Sequence, residues 1–354
     1  MSGLEPSEFD RAKLISPIPR LISSSTFIAN RLRLLDFYEK MRENSLKSKA
    51  TILMYHHFWD SDRYPWRLEQ TSKKDFENQI KYLSQQYNVV PLNEIIKCIQ
   101  NKKPFPQRAV AITFDDGNKD NYLNAYPILK KYDLSATIFL PSGLLNTKEM
   151  YWWDKVGYII YKTTLESVEI EDISHFNIQT NKQRFQTFHD IILKFNDLTE
   201  KERKQSVENL SDKLDANIPP DLGKDHILSW NEVREMNNNN IDFGSHTVTH
   251  PFLTKVSLKE ARRQIIESKK NLEEELGQNV TSFSYPYGAH NNSLKKILKE
   301  NGFSCAVTVV PRLISLKSDP YELGRIPPGW NFDTFKFYLR TYPDLKGILD
   351  GLKF

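Results

Sequence analysis

The sequence predicts an α/β fold built on a parallel sheet or barrel. Short, continuously apolar segments recur along the chain and alternate with longer stretches whose apolar residues repeat every three or four positions. Continuous apolar runs are typical of strands that helices cover, and strand–helix alternation is typical of parallel sheets. A length of 354 residues allows one large domain with extensions, or two domains.

Seven segments have the apolar content of such strands. In chain order they are ATILMY (50–55), NVVPL (88–92), AVAITF (109–114), SATIFL (135–140), IDFGSH (241–246), TSFSY (281–285) and CAVTVV (305–310). Each is five or six residues long, which is the usual length of a strand in a globular protein.

Three of the intervening stretches carry helix signals. SKKDFENQIKYLSQQ (72–86) and SLKEARRQIIESKKNLEEELG (257–277) both open with a serine that can act as N-cap, and the second ends on Gly277, a typical C-cap residue. The third stretch, NYLNAYPILKKYD (121–133), is shorter. We expect these helices to connect the parallel strands.

Two segments do not fit the alternation. We interpret residues 1–48 as a helical extension that docks on the domain, because residues 26–43 are amphipathic; an interfacial membrane helix with Arg31 and Arg33 at the headgroups is the alternative. Residues 146–226 exceed an ordinary connection. They predict a helical subdomain, a lid or wall beside the site, inserted into a domain of residues 49–345.

Composition argues against several classes of protein. The net charge of +4 is small for this length, so we expect no nucleic-acid partner. The sequence has no run of 18 apolar residues, which predicts that no helix spans a membrane. Because the first residues lack the apolar core of a secretory signal, we expect a cytoplasmic protein, with the inner membrane face as a further site of action. Cys98 and Cys305 predict neither a disulfide framework nor a cysteine metal site.

The hexapeptide ITFDDG, residues 112–117, places two acids where an apolar strand ends. Asp115 and Asp116 would repel each other if both stayed charged. The pair is therefore understandable where a cation neutralises it, or where the two acids do different work. Sites in parallel α/β barrels form at the carboxyl ends of strands, so this position allows a functional pair; a pair of strand-end acids that caps a helix is the alternative, and this motif alone does not exclude it.

The octapeptide GSHTVTHP, residues 244–251, places two histidines four positions apart after another strand. At this spacing His246 and His250 can reach one ion. With one carboxylate of the acid pair they would form a set of two histidines and one acid. Such a set binds a divalent transition metal and leaves positions open for water and substrate.

The segment SFSYPYGAHN, residues 282–291, predicts a constrained turn. Pro286 restricts the backbone and Gly288 lets it turn, so the main-chain NH of Tyr287 could face the site as an oxyanion donor. An ordinary turn is the alternative, and His290 could line the same cleft. Four tryptophans are either sugar-stacking residues or part of the core: Trp152, Trp153, Trp230 and Trp330.

These three motifs, in this order, resemble those of the polysaccharide deacetylase family with the NodB-homology domain. TFDDG matches the first family motif, HTVTH the second and YPYG a common form of the third, and LSWNEVREM (228–236) is also typical. The resemblance covers about residues 50–330. It implies a deformed (β/α) barrel of about seven parallel strands. It also implies metal-dependent removal of an N-linked acyl group, usually acetyl, from an amino sugar.

The resemblance assigns a role to each motif residue. Asp115 resembles the general base, and Tyr287 resembles the oxyanion residue through its main-chain NH. Asp116, His246 and His250 resemble the three metal ligands. One divalent transition metal is implied, with Zn²⁺ favoured and Co²⁺, Ni²⁺ and Fe²⁺ as alternatives.

Two departures from the family pattern concern the residues around the base. The usual third motif has an arginine two positions before the proline, where this chain has Ser284; Arg325, in ELGRIPP, would take over the pairing with the base. The usual Leu-x-His motif near the C-terminus is absent. However, ILMYHHF (52–58) resembles the permuted members, such as the poly-N-acetylglucosamine deacetylases, in which this strand comes first. His56 would then be the general acid, with His57 as the alternative.

The resulting prediction is a hydrolase that removes N-acetyl groups from amino-sugar glycans or their precursors. An amidase or deformylase of the same mechanism, acting on a nucleotide- or lipid-linked sugar or another small amide, is the first alternative. An inactive carbohydrate-binding relative is the second.

Overall fold

The structure, a computed structural model, describes residues 48–58, 65–66, 71–170, 174–329 and 331–340, which belong to two compact units. The larger unit contains the described residues of 48–58, 71–145 and 228–340, and the smaller contains 65–66 and those of 146–227. The N-terminal extension predicted for 1–48 lies, except for its last residue, outside the described residues, as does Trp330.

Strands and helices alternate along most of the described chain. The strands are β1 (Lys49–Tyr55), β2 (Asn88–Val89), β3 (Ala109–Phe114), β4 (Ala136–Leu140), β5 (Ser167–Ile170), β6 (Ser174–Asn177), β7 (Ile241–Ser245), β8 (Ser282–Ser284), β9 (Cys305–Val307) and β10 (Ile314–Ser315). The α-helices are α1 (Lys73–Gln86), α2 (Leu92–Asn101), α3 (Tyr126–Lys131), α4 (Trp152–Lys162), α5 (Asn181–Asn196), α6 (Glu200–Lys213), α7 (Trp230–Asn237), α8 (Leu258–Leu276), α9 (Asn292–Glu300) and α10 (Phe332–Arg340). A π-helical turn (Asn121–Ala125) leads into α3, and a 3₁₀ turn (Pro286–Gly288) follows β8.

The larger unit is built on a curled sheet with the strand order β10-β1-β3-β4-β7-β8-β9. β10 runs antiparallel to β1, whereas the other pairs in this order are parallel, and β2 also pairs in parallel with β3. The register places Tyr55 beside Phe114, and Leu140 beside Ser245, so neighbouring strands end at the same edge of the sheet. The predicted α/β fold, a deformed barrel of about seven parallel strands, is thereby confirmed, with β10 as the antiparallel exception among the described strands of this order.

A segment near the end of the described chain links β9 to β1. Leu323 forms a parallel bridge with Val307 of β9, and Ile326 forms one with Leu53 of β1. Backbone hydrogen bonds of 2.8–3.0 Å hold both bridges. Arg325 lies between the two bridges and is fully buried, so this segment carries a charged side chain into the interior of the barrel.

The apolar strands and one helix share a common core. It includes residues of β1, β3, β4, β9 and α2, among them Ile52, Ala111, Phe139, Val307, Ile95 and Ile99. The predicted caps are confirmed in α1 and α8. Ser72 and Ser257 each accept a hydrogen bond from a backbone NH three residues later, and Gly277 ends α8 in the left-handed region at φ 65°.

Three sequence predictions of secondary structure are wrong in extent. The strand predicted for 88–92 stops at Val89, and an unpredicted helix begins at Leu92. Pro91 is the reason, because it has no amide hydrogen for the ladder and its φ of −56° suits a helix start. The strand predicted for 305–310 stops at Val307, since its partner β8 ends at Ser284.

The third case is the short helix predicted for 121–133. It begins as the π-helical turn and becomes an α-helix only from Tyr126. Pro127 stands at the start of α3 and cannot donate the hydrogen bond that an uninterrupted α-helix would need there.

The smaller unit packs α4, α5 and α6 around an apolar cluster of its own, with members such as Val156, Ile159, Ile191, Val207 and Leu210. It also contains the antiparallel hairpin β5–β6, which the sequence analysis did not predict. Asp154 is fully buried, accepts a hydrogen bond from Trp66 Nε1 at 2.9 Å and lies 2.8 Å from His226 Nε2. That residues 146–226 are an insertion stays a prediction. Among the described helices, none has both the length and the apolar character needed to cross a membrane.

Candidate active site

Two buried acids lie at the end of β3. Asp115 and Asp116 are 2% and 6% exposed. Asp116 and Gly117 have φ values of 73° and 60°, so two consecutive left-handed residues bend the chain immediately after the strand. A Cβ atom on Gly117 would lie 2.6 Å from Leu140 Cδ2, which explains why the residue after the acids is glycine.

Two buried histidines follow the end of β7. The Nε2 atoms of His246 and His250 lie 3.4 Å and 3.3 Å from Oδ1 of Asp116. One ligand atom from each of the three residues lies within 4.8 Å of the others. The three sequence-predicted metal ligands are therefore brought together, although they come from segments 130 positions apart.

The hydrogen bonding of His246 shows that this trio fits a cation. Its Nδ1 atom lies 2.7 Å from the main-chain oxygen of Ser284, which can only accept, so Nδ1 carries the hydrogen. In a neutral ring, Nε2 then holds a lone pair, and among the described residues this buried atom has no hydrogen-bond partner. It faces the carboxylate oxygen of Asp116 at 3.4 Å. A cation between two electron-rich atoms relieves this conflict, and two imidazoles with one carboxylate suit a divalent transition metal.

The charge state of Asp116 agrees with such a site. Burial raises the pKa of its carboxyl group, but when the imidazoles of His246 and His250 are protonated, with no cation between them, they donate to it and together lower the pKa more strongly. The pKa of Asp116 therefore lies well below its ordinary value. The carboxylate is ionised at neutral pH and can act as a metal ligand.

Asp115 is held by a buried arginine. Arg325 Nη1 donates to Oδ1 at 2.7 Å, and Arg325 Nη2 donates to Oδ2 at 2.6 Å. Ser284 Oγ adds a third hydrogen bond to Oδ2 at 3.2 Å. Arg325 is in turn fixed by Thr308, whose carbonyl accepts from Nε at 2.9 Å, and by Thr113, whose hydroxyl accepts from Nη1 at 3.1 Å.

This arginine decides the protonation of the acid. Burial raises the pKa of Asp115, but the charge and hydrogen bonds of Arg325, together with smaller contributions from His246 and His56, outweigh burial. The pKa of Asp115 therefore lies below its ordinary value. A buried carboxylate that stays ionised and keeps a fixed orientation can accept a proton from a neighbouring group.

His56 lies directly after β1, beside the acid pair. Its Nε2 atom is 3.8 Å from Oδ2 of Asp115, and its side chain is 25% exposed. His57 is the next residue and is half-buried. The edge of the sheet thus brings a histidine from the first strand to the acids of the third, as the parallel register requires.

Two polar residues that the sequence analysis missed hold the segment around His56. Asn121 Nδ2 donates to the main-chain oxygen of His56 at 2.9 Å, and Asp120 Oδ2 accepts from the main-chain NH of Phe58 at 2.8 Å. Asp120 also accepts from Asn121 at 3.1 Å. The only sequence signal for this pair is its position in the polar run NKDN (118–121), directly after the acid motif.

Tyr287 lies in the turn after β8 with φ 59°, an uncommon value for a residue with a large side chain. Its ring stacks on Phe252 with centroids 3.5 Å apart, and it contacts the ring of His250 edge-on at 4.8 Å. Asp116, Thr247, His250 and Tyr287 all have positive φ. Backbone strain of this kind concentrates at functional sites.

The other residues that the sequence analysis considered for the site are His290 and the tryptophans. His290 stacks on Tyr285, with centroids 5.0 Å apart, and approaches Glu322 at 3.6 Å. Trp152, Trp153 and Trp230 are half-buried. Trp153 stacks on Tyr151 at 4.3 Å within the smaller unit.

Comparison with known proteins identifies the family. The sequence profile described as polysaccharide deacetylase matches residues 102–306, which is more than half of the chain. The chain belongs to the polysaccharide deacetylase family. The matched region contains the acid pair, both histidines and the turn at Tyr287, whereas His56 and Arg325 lie outside it.

Two curated relatives of this chain differ in how much of each sequence the match covers. The "Putative polysaccharide deacetylase YxkH" of Bacillus subtilis (strain 168) is 24% identical over 298 residues, 83% of this chain and 77% of that protein. The poly-β-1,6-N-acetyl-D-glucosamine N-deacetylase of Staphylococcus aureus (strain MRSA252) is 35% identical over 117 residues, 32% of this chain and 40% of that protein.

A solved structure supports the deacetylase fold. The Streptococcus pyogenes deacetylase PplD, solved in complex with acetate, superposes with a TM-score of 0.57 at 20% identity. The match covers 84% of this chain and 98% of PplD. At this identity the likeness concerns the fold, and it agrees with the curled, mostly parallel sheet of the larger unit.

Proposed function

We propose that this chain hydrolyses N-acetyl groups of an amino-sugar glycan, with a β-1,6-linked N-acetylglucosamine polymer as the first candidate substrate. The observation that carries the proposal is the buried trio of Asp116, His246 and His250, whose ligand atoms lie within 4.8 Å of one another. It adjoins the ionised Asp115. Family membership favours deacetylation, and the Staphylococcus aureus relative favours this glycan.

Asp116, His246 and His250 would hold one divalent ion, Zn²⁺ in the first instance. When bound, such an ion would polarise an amide carbonyl and make water more acidic. Because Asp116 is committed to the ion, it is not available to accept protons. The two neighbouring acids thus divide the work, and their mutual repulsion is relieved by the cation on one side and by Arg325 on the other.

In this proposal Asp115 is the general base. It takes a proton from the water that attacks the acetyl carbon, and this proton transfer contributes about 10²–10⁴-fold to the rate. Arg325 keeps the carboxylate ionised and fixes its orientation through two hydrogen bonds of 2.7 and 2.6 Å. The hydroxyl of Ser284 donates a hydrogen bond to Oδ2 of Asp115, the same oxygen that accepts from Arg325 Nη2.

Tyr287 and His56 would complete the reaction. As the carbonyl oxygen gains negative charge, the main-chain NH of Tyr287 donates a hydrogen bond to it; losing such a donor costs roughly 10²–10³-fold in rate. His56 then donates a proton to the amide nitrogen, and the C–N bond breaks. Water and amide are thereby converted to acetate and a free amino sugar. The 3.8 Å between His56 Nε2 and Asp115 Oδ2 supports His56 in this role.

The experiment that tests the proposal is an amine-release assay on metal-reconstituted protein. Its substrates are a β-1,6-linked N-acetylglucosamine oligomer, a chitin oligomer and a nucleotide-linked N-acetyl sugar, with Asp115→Asn protein as the blank. Release from the β-1,6 oligomer above the blank is the expected result. Release from the nucleotide sugar alone would move the substrate to glycan precursors, and no release from any substrate would contradict the proposal. The cytoplasmic location and the role of 146–226 stay predictions.

A further inference from the structure

The loop that joins the two histidines has no regular secondary structure between β7 and α8. Thr247 and His250 have φ values of 70° and 61°. The left-handed region is unfavourable for β-branched and bulky residues, so the free loop would prefer other conformations. Contacts from outside the loop must therefore select the conformation in which both imidazoles face Asp116.

The carbonyl groups of the loop are bound by the segment that follows β4. Ser142 NH donates to Thr247 O at 3.0 Å, and Gly143 NH donates to Val248 O at 2.9 Å. The approach is so close that a Cβ atom on Gly143 would lie 2.6 Å from Val248 Cγ1. The carbonyl groups on this side of the loop are therefore held by backbone hydrogen bonds.

The amide groups of the loop are bound by side chains instead. Gln264 Oε1, from α8, accepts from Val248 NH at 2.9 Å and from Thr249 NH at 3.0 Å. The Nε2 group of Gln264 donates to Thr249 Oγ1 and to Glu260 Oε1, both at 3.0 Å. His250 NH donates to Thr247 Oγ1 at 2.9 Å.

Gln264 is 2% exposed, so water cannot easily replace it. Its single carboxamide oxygen accepts from two of the three backbone amides between the two histidines, those of Val248 and Thr249. The amide of Val248 is buried and that of Thr249 partly so; left without an acceptor they would cost free energy, and the loop would have to rearrange. The side chain stands on a 19-residue helix with a capped start, which is a rigid support.

We propose that Gln264 is a positioning residue that holds the loop so that His250 and His246 can bind one metal ion. The inference rests on the metal site of the proposed function and deepens it. His246 has its own anchor, the hydrogen bond to Ser284 O at 2.7 Å. Gln264 therefore acts mainly on the position of His250, at the far end of the loop.

The test measures the affinity of the full-length chain for Zn²⁺ by competition with a chromophoric chelator, and it needs no substrate. Gln264→Met keeps the length of the side chain and removes both acceptor contacts. We expect the dissociation constant for Zn²⁺ to rise by about 10- to 100-fold, the usual effect of losing a group that supports a metal ligand. Gln264→Asn keeps the amide but shortens its reach, and it serves the same test if the methionine variant does not fold.

Two further variants separate positioning from general stability. Gln264→Glu keeps acceptors for both amides but would place a carboxylate oxygen against Glu260 Oε1, which Gln264 Nε2 contacts at 3.0 Å, so it is combined with Glu260→Gln, whose amide can donate across this contact. We expect the double variant Glu260→Gln/Gln264→Glu to recover most of the affinity. Leu272→Ala, a buried position on the same helix, should lower the thermal midpoint but leave the Zn²⁺ affinity unchanged.

Wild-type affinity retained in the Gln264→Met or Gln264→Asn protein would overturn the inference. So would a Glu260→Gln/Gln264→Glu protein that binds Zn²⁺ as weakly as the methionine variant, or a Leu272→Ala protein that loses Zn²⁺ affinity equally. Failure of the proposed function looks different. In that case the wild-type chain would bind no Zn²⁺, or it would bind Zn²⁺ in a way that His246→Ala leaves unchanged.

Discussion

Arg325 and Asp115 lie 210 positions apart in the sequence, yet two hydrogen bonds of 2.7 and 2.6 Å join the guanidinium to both carboxylate oxygens. Both side chains are buried. The segment that carries Arg325 also forms bridges to β9 and to β1. One short stretch of chain therefore links the first and last parallel strands of the sheet order and supports the carboxylate of Asp115. Arg325 Nη2 also donates to the hydroxyl of Ser284 at 3.2 Å.

The first prediction concerns the stability of this pair. Arg325→Gln leaves the charge of Asp115 buried without its partner, which should lower the free energy of unfolding by about 3–5 kcal/mol. The double variant Asp115→Asn/Arg325→Gln should lose less than the sum of the two single variants, because no buried charge remains. Urea titration measures all three. The control is Arg312→Gln, an arginine with a 60% exposed side chain; strictly additive losses would contradict the prediction.

The second prediction concerns the pH dependence of turnover. Arg325 holds the pKa of Asp115 below its ordinary value against the effect of burial. Without the guanidinium, burial still raises the pKa, so Asp115 becomes protonated at a higher pH. Since the protonated acid cannot accept a proton, the acid side of the pH–rate profile of Arg325→Gln should move to higher pH. An unchanged acid limb, measured with the enzyme saturated in metal, would show that Asp115 is not the group whose ionisation limits turnover.

The third prediction separates the two neighbouring acids. Asp115→Asn removes the proposed base but none of the proposed metal ligands, so turnover should fall by at least about 10²–10⁴-fold. The metal content after dialysis should stay at the wild-type value. Asp116→Asn should reduce both quantities. Comparable metal loss in the two variants would mean that the roles of the acids are not divided in this way.

The fourth prediction decides between the two adjacent histidines after β1. His56→Ala should lose turnover on an N-acetyl substrate by about 10²–10⁴-fold, whereas His57→Ala should retain most of it. A second substrate tests whether His56 acts as a general acid. An acetyl ester of 4-nitrophenol has a leaving group that needs no proton, so its hydrolysis should suffer much less from His56→Ala. Equal losses on both substrates would argue for a structural role of His56, and a larger loss in His57→Ala would reverse the assignment.

The sequence predicts most of the site because its motifs are local. Asp115, Asp116, His246 and His250 each directly follow a strand or lie within a few residues of one, and parallel strands bring such positions to one edge. The family resemblance adds Arg325. The bridge of Leu323 and Ile326 to β9 and β1 leaves no periodic pattern of its own, so the sequence analysis could not predict how that arginine reaches the interior.

Other misses have the same physical origin. Asn121 and Gln264 act through their side-chain amides on the backbone of other segments, 65 and 16 positions away respectively. A polar residue on a helix carries no sequence signal for such a contact. The wrong prediction at Pro91 has a different origin. The apolar run NVVPL is typical of a strand, whereas its proline is typical of a helix start, and the prediction followed the run.

The most direct test of the central claim is the metal dependence of deacetylation itself. The purified chain is stripped with a chelator, its metal content is measured, and amine release from the N-acetylglucosamine oligomer is followed as Zn²⁺ is added back, with His250→Ala in parallel. We predict no turnover in the stripped protein, recovery that saturates at one ion per chain, and neither binding nor recovery in His250→Ala. Full turnover by protein shown to be free of metal, or recovery in His250→Ala equal to wild type, would contradict the account.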